Sequence, residues 1–483
     1  MQNLKSSPAL QRTSEFFENG QFLGPLTAIL FSLAASAIIL RSKDIEVFFL
    51  FSVFFSVIVF TSETIGLLFL LFLSFYSLYL RYLFSLPPMY ANLSYVLVAI
   101  LTIKCFSSIW VKKVSIPKTS VDRAILLFFA LIFISFILNR PPVGAALKSI
   151  AQQSCFVLLF YAIAHSNLSA SLLKRMVYIL LVVALIQVFA SFFQFFFVFP
   201  DEDPGFRQDH SGGLFGYSSG TVNAVYMVYI SSLIFAFIKI HGIKFLYLFT
   251  ICLLAVPIIL SSARAGLMFI PLTASFLLAA TPFLRGRLVR RDIGQALGLI
   301  GFLVVALFAL APKKQLSFIL DPGTVYDYSV SHGKRMGRFD QLSFVHSVIG
   351  GRVKTAILGL GPGQMTHTKQ ATTGSSQISE FLEEYGDEFQ TRQSYAYTTV
   401  ELGYGGLALF FFVHYKLFMM NRRFFRAIEE KFWKAVSIGF AGIIFTSAYS
   451  MIYTQNWVKP ALTFPFWLLA GAIYRVGKIK GIF

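Results

Sequence analysis

The sequence predicts an all-α fold class: a polytopic helical membrane protein with about 12 to 14 transmembrane helices and one large outward-facing loop between late spans. Three observations predict it. Of 483 residues, 56% are hydrophobic and only 13% charged, and the mean hydropathy is +0.71, far more apolar than a water-soluble domain. Apolar runs of roughly 17 to 25 residues, the length that crosses a hydrocarbon core, recur along almost the whole chain. None of these runs alternates in the manner of a membrane barrel strand.

Residues 1–22 (MQNLKSSPALQRTSEFFENGQF) are polar and lack the apolar heart and small-residue cleavage site of a signal peptide. They read as a cytoplasmic N-terminal segment, with the first span doubling as the targeting signal. Spans with short loops then fill 23–311, at 23–40, 45–60, 65–84, 93–110, 124–138, 145–165, 176–199, 222–239, 245–260, 266–280 and 295–311. A large extracytoplasmic loop occupies 312–394, and the last spans, 396–413, 435–453 and 459–475, lie within 395–483. Inside the loop, 339–358 carries apolar residues at helical spacing with a break at Gly350 and Gly351, and 375–389 is expected to be a second helix.

The net charge of +19 sits in short loops between spans, where it sets orientation, so nucleic acid is not an expected partner. VKKVSIPKTSVDR (111–123), LRGRLVRRD (284–292) and YKLFMMNRRFFRAIEEKFWK (415–434) are strongly basic and fall on one side, the cytoplasmic one. The segments 200–220, 261–266 and 312–394 then share the opposite compartment. RSKD (41–44) runs against this count, so the first three spans are expected to include a tilted or re-entrant pair. Cys105, Cys155 and Cys252 lie in apolar segments and read as packing residues, too scattered for a disulfide framework or a metal site. Arg81 and Lys104, charges inside early spans, read as interfacial or helix-pairing residues.

Sites are expected where outward loops meet the membrane. Arginine suits a phosphorylated head group there, because its planar fork stays charged and grips oxygens in pairs. Arg264 and Arg392 fall at that interface, and Arg207, Arg335 and Arg338 lie in the same loops. A single such arginine ordinarily snorkels to phospholipid head groups. Arg264 in SSARAG differs, because small residues beside it leave room and the next helix begins there. LGLGPGQM (358–365) is a tight turn that lets backbone approach a ligand closely; no Gly-Lys-Ser/Thr follows, so it is not a nucleotide-phosphate loop.

Taken together, these stretches resemble the O-antigen ligase and Wzy-type O-antigen polymerase superfamily over about residues 180–410. The resemblance begins at Gln194 and continues through HSGGLFGYSSGTVNAVYMV, where Gly213, Phe215, Asn223 and Tyr226 match the family's G-T-F-x-N-P-N-x-x-A-x-Y pattern. It then takes in Arg264 and the turn with Gly361 and Gly363. Its most specific part is RQSYAYTTVELGYGG (392–406): Arg392, Gln393, Gly403 and Gly406 occupy the positions of a ligase pattern that opens with His.

The resemblance implies an inner-membrane glycosyltransferase-type enzyme that polymerises undecaprenyl-diphosphate-linked oligosaccharide without a cofactor or metal. A flippase and a chain-length regulator of the same pathway are the protein partners it implies, beside the membrane lipids. Arg264 and Arg392 would hold diphosphate, with Arg207, His210, Asn223, Arg338, Gly361, Gly363 and Gln393 contacting substrate. Arginine in place of the ligase histidine argues against an O-antigen ligase, and it cannot abstract a proton. Glu401, His210, His332, His346 and His367 remain as bases. Glu401 follows Arg392 by about two and a half helical turns, and the two are expected to project together. A structural ion pair with an arginine is the plainer role for Glu401. A lipid-linked oligosaccharide flippase is the rival from another class, since transporters also carry many spans and basic loops.

Overall fold

Thirteen α-helices and no strand occur among the residues that the computed structural model describes, which are 53–54, 56–59, 62–85, 90, 93–111, 118–200, 210–216, 219–261, 263, 265–285, 338–365 and 393–483. Seven of these helices are long and apolar enough to cross a membrane, and three further apolar helices are shorter. The chain therefore has the build of a multi-pass helical membrane protein. The expected spans 23–40 and 295–311 and the expected helix 375–389 lie outside the described residues, as does most of 45–60.

Two compact units divide the chain, Met1–Val114 and Ser115–Phe483. In the first, α1 (Glu63–Leu83) packs against α2 (Leu93–Val111). Lys104, a charge within α2, donates from Nζ to the Val59 carbonyl at 2.8 Å, so it is met by backbone inside the unit.

The second unit contains α3 (Asp122–Asn139), α4 (Val143–Ala164), α5 (Ala170–Phe193), α6 (Gly220–His241), α7 (Phe245–Leu260) and α8 (Ala265–Arg285). It continues with α9 (Arg338–Gly350), α10 (Val353–Leu358), α11 (Ser394–Ala427), α12 (Lys431–Ser450) and α13 (Pro460–Ile479). Local chemistry explains several boundaries. Ser169 caps α5 by accepting from the Leu172 amide at 3.2 Å. Proline stands in the first turn of α13, where its missing N–H costs nothing.

The centre is α6, 94% of whose apolar window is buried by other helices. A helix apolar on every side needs such a position. It lies against α12, α7 and α8, and Gly439 and Gly442 of α12 let the backbones close in on Leu233 and Ser232. By contrast α3 is 28% buried and presents Leu126 at 70% and Phe133 at 63% exposure. That face suits acyl chains rather than water.

Pairings along the helices show which loops share an end of this unit. Asn421 bonds the Ser437 carbonyl at 2.8 Å and His414 bonds Ser447 at 3.1 Å, so α11 and α12 are antiparallel. Thr273 reaches Thr446 at 3.0 Å while Leu277 stands against Gly442, which sets α8 antiparallel to α12 as well. The Gly439–Leu233 and Gly442–Ser232 approaches do the same for α6. The starts of α6, α8 and α11 and the end of α12 therefore lie together, and Asn139 at the end of α3 joins them by donating to the Gly359 carbonyl at 3.2 Å. At the opposite end Arg426 donates to the Leu284 carbonyl at 3.1 Å and Arg475 to the Leu168 carbonyl at 3.3 Å.

One expected loop is mostly helix. The basic stretch 415–434 continues α11 to Ala427 and re-enters α12 at Lys431. Leu417, Met420 and Phe424 recur at helical spacing and are all buried, and this seam outweighs the charges scattered along the other faces. The segment 339–358, in contrast, folds as α9 and α10 with the expected break after Gly350.

Candidate functional site

The glycine turn 358–365 docks on α11 where that helix is broken. Gly403 adopts φ 69°, ψ −172° within the 34-residue helix. The break removes the next-turn donors that the carbonyls of Val400 and Glu401 would otherwise meet. The turn supplies replacements: Leu360 N–H donates to Val400 O at 2.8 Å and Gly361 N–H to Glu401 O at 3.1 Å. From α3, Ser135 Oγ donates to the Leu358 carbonyl at 2.7 Å.

Only glycine fits where the two backbones meet. Gly359 has φ +68°, and a Cβ there would lie 2.4 Å from the Glu401 carbonyl carbon. A Cβ at Gly403 would lie 2.5 Å from the Ile357 carbonyl carbon. Gly361 and Gly363, both expected at the site, continue the same turn beside Pro141 and Ala145 respectively.

Glu401 ties this turn to α4. Its side chain is fully buried. Oε2 accepts from Ser149 Oγ at 2.5 Å and from Gln153 Nε2 at 2.9 Å. Oε1 accepts from the Met365 amide at 3.0 Å, and the Gly363 backbone bonds the carboxyl as well. Tyr397 OH in turn donates to Ser149 Oγ at 3.0 Å. Neutral donors thus surround a group for which an arginine partner was the plainer expectation, and no cation meets it among the described residues.

The expected shared face of Arg392 and Glu401 is also corrected. An interval of nine residues at about 100° each separates two helical positions by about half a turn, opposite faces rather than one. The helix moreover begins only at Ser394. Arg207, Arg264 and Arg392 themselves lie outside the described residues, as do Arg335, His332 and His367. Arg338 is the first residue of α9.

Gln393 directly precedes α11 and is 1% exposed. Ser394 N–H donates to Thr454 O and Tyr395 N–H to Met451 O, each at 3.0 Å, so the start of α11 is fastened to the end of α12. An apolar cluster of Val345 and Ile349 from α9 with Met365, Ala396, Tyr397 and Val400 seals the junction. His346 is exposed on α9, and its Nδ1 lies 2.6 Å from Tyr404 OH.

The stretch around Asn223 makes a second polar knot at the same end of the unit. Gln194 accepts from the Gly213 amide at 2.8 Å and donates to the Gly213 carbonyl at 3.0 Å. Gln187 Oε1 accepts from the Leu214 amide at 2.7 Å, and Asn223 Nδ2 donates to Ser191 Oγ at 2.9 Å. Phe215 stands edge-on to Tyr226 with centroids 5.3 Å apart. Phe215 and Tyr226 therefore meet, and Gly213 and Asn223 both border Ser191. His210 is half-buried, edge-on to Phe199 at 6.2 Å.

Ser149, Gln153 and Tyr397 were not anticipated. A signal existed: Ser149 and Gln153 are one helical turn apart in a mostly apolar span, which puts two polar groups on one face. Among the described residues no three His, Cys, Asp or Glu side chains converge to hold a metal. No family model and no curated protein matches the chain.

Proposed function

We infer that the chain is a membrane glycan polymerase, joining undecaprenyl-diphosphate-linked repeat units on the outer face of the cytoplasmic membrane. The observation that carries this reading is the convergence of two stretches that take part in the family resemblance: LGLGPGQM docks by backbone onto the helix that RQSYAYTTVELGYGG begins. The residues around Asn223 and the start of α8 next to Arg264 belong to the same end of the unit, as Gly266 against Ala224 indicates.

In this reading a sugar hydroxyl of one lipid-linked unit attacks the anomeric carbon of another, and polyprenyl diphosphate leaves. Arg264 and Arg392 offset the charge that grows on the departing diphosphate. Glu401 acts through the turn it fixes, because its oxygens are already occupied by Ser149, Gln153 and the backbone. The loop across 312–394 covers the site, and the end of the unit that bears it faces away from the cytoplasm.

Deletion followed by gel analysis of surface glycan tests the reading. A single repeat unit on the lipid core is the expected result. Loss of all attached glycan, with polymer accumulated on the carrier, would instead mean a ligase. The break at Gly403 beside a buried carboxylate favours a flippase as second reading, since discontinuous helices carry substrate sites in transporters. Single units trapped on the cytoplasmic leaflet would establish it.

A further inference from the structure

Three buried amide residues lie where the glycine turn, the start of α11 and the α12–α13 connection meet. Gln393 is 1%, Asn456 2% and Gln364 7% exposed. Both polar atoms of Gln393, the Oε1 of Gln364 and the Oδ1 of Asn456 are buried and have no hydrogen-bond partner among the described residues. Their chain positions belong to one locality, because Met365, Tyr395 and Val458, one or two residues away in sequence, pack in or against a single apolar cluster. The start of α11 lies there too.

A buried amide without a partner forfeits the hydrogen bonds it had in water, and an apolar side chain of the same shape would be the more stable occupant. Retaining one such group needs a reason, and three together point to a polar ligand. The chemistry of the unmet atoms says which kind. Three of the four are carbonyl oxygens, which only accept. The Asn456 orientation is set by its other end, since Nδ2 donates to the Ser447 carbonyl at 3.0 Å and to Ser450 Oγ at 2.6 Å. An ionised diphosphate has no proton to offer these oxygens, whereas a hydroxyl donates and also accepts from Gln393 Nε2.

The geometry points to a neutral carbohydrate subsite in which Gln364, Gln393 and Asn456 bind sugar hydroxyls, distinct in chemistry from any arginine site for diphosphate. Assigning that sugar as the acceptor unit rests on the polymerase reading; the binding itself does not.

The test uses the full chain in detergent and, as probe, repeat-unit oligosaccharide released from the cell's own carrier lipid by mild acid, with inorganic diphosphate as a second probe. Saturation-transfer NMR should detect the oligosaccharide on the unaltered protein. Gln393→Leu and Gln364→Leu should each bind it at least tenfold more weakly, with diphosphate binding unchanged and Tm equal or higher. Gln393→Glu, which keeps an acceptor and loses the donor, supplies a second variant should the leucine form misfold. Unchanged oligosaccharide affinity in the variants, no binding to any form, or a fall in Tm in the leucine forms would overturn the subsite. Amide-dependent binding in a protein whose deletion leaves glycan chain length unchanged would keep the subsite and remove the polymerase.

Discussion

Glu401 shows how far a single residue can be read from sequence. A carboxyl inside an apolar run announces that something meets it, and an ion pair with an arginine was the plainer expectation. Among the described residues its partners are Ser149, Gln153 and two backbone amides. Removing the acceptor strands these buried donors, and each stranded donor costs about 1–3 kcal/mol. Glu401→Ala is therefore expected to lower Tm in detergent by several degrees, with Glu401→Gln nearer the unaltered protein because one accepting oxygen survives. Equal Tm for all three would show that Glu401 does not hold the turn. For the arginines the test is geometric: Arg392→Lys keeps the charge and loses the paired grip. Glycan chain length should collapse in that variant, and normal chains would remove Arg392 from the mechanism.

At the scale of elements, the break in α11 is what admits the glycine turn. Gly403 and Gly359 sit at positive φ with backbone within 2.5 Å of where a Cβ would stand. Gly403→Ala must strain the backbone, at about 1–3 kcal/mol, and push the turn away as well. Gly144 in α4 has open space around it, so Gly144→Ala should leave Tm unchanged or raise it slightly, by the helix preference of alanine. Thermal unfolding of the pair measures the contrast; equal shifts would mean that the close approach is not tight. The turn and Gly403 were visible in sequence as glycine-rich stretches. That they belong together was not, because about forty residues separate them and no local rule couples two turns across that distance.

At the scale of the molecule, the antiparallel pairing of α6, α8 and α11 with α12 brings the helix starts that border the expected outward segments to one end of the second unit. Single cysteines in a chain lacking Cys105, Cys155 and Cys252 test its sidedness. Arg140 and Arg352 are exposed at the end that carries the glycine turn, and Ser169 and Glu429 are exposed at the other. An impermeant thiol reagent added outside should label cysteine at 140 and 352 and spare 169 and 429. The reverse pattern would put the glycine turn in the cytoplasm and end the polymerase reading.

Composition and the length of the apolar runs were enough to determine an all-helical, multi-pass chain, since a bilayer leaves a backbone few other ways to satisfy its own polar groups. Runs such as 220–241 and 122–139 look alike in sequence, yet the first is the buried centre and the second presents its side chains outward. Only the tertiary structure decided that, along with the partners of Glu401 and the shared locality of three buried amides with polar atoms unmet among the described residues. Hydropathy reports how readily a segment leaves water; which neighbour it then meets depends on packing and hydrogen-bond geometry between segments far apart in the chain.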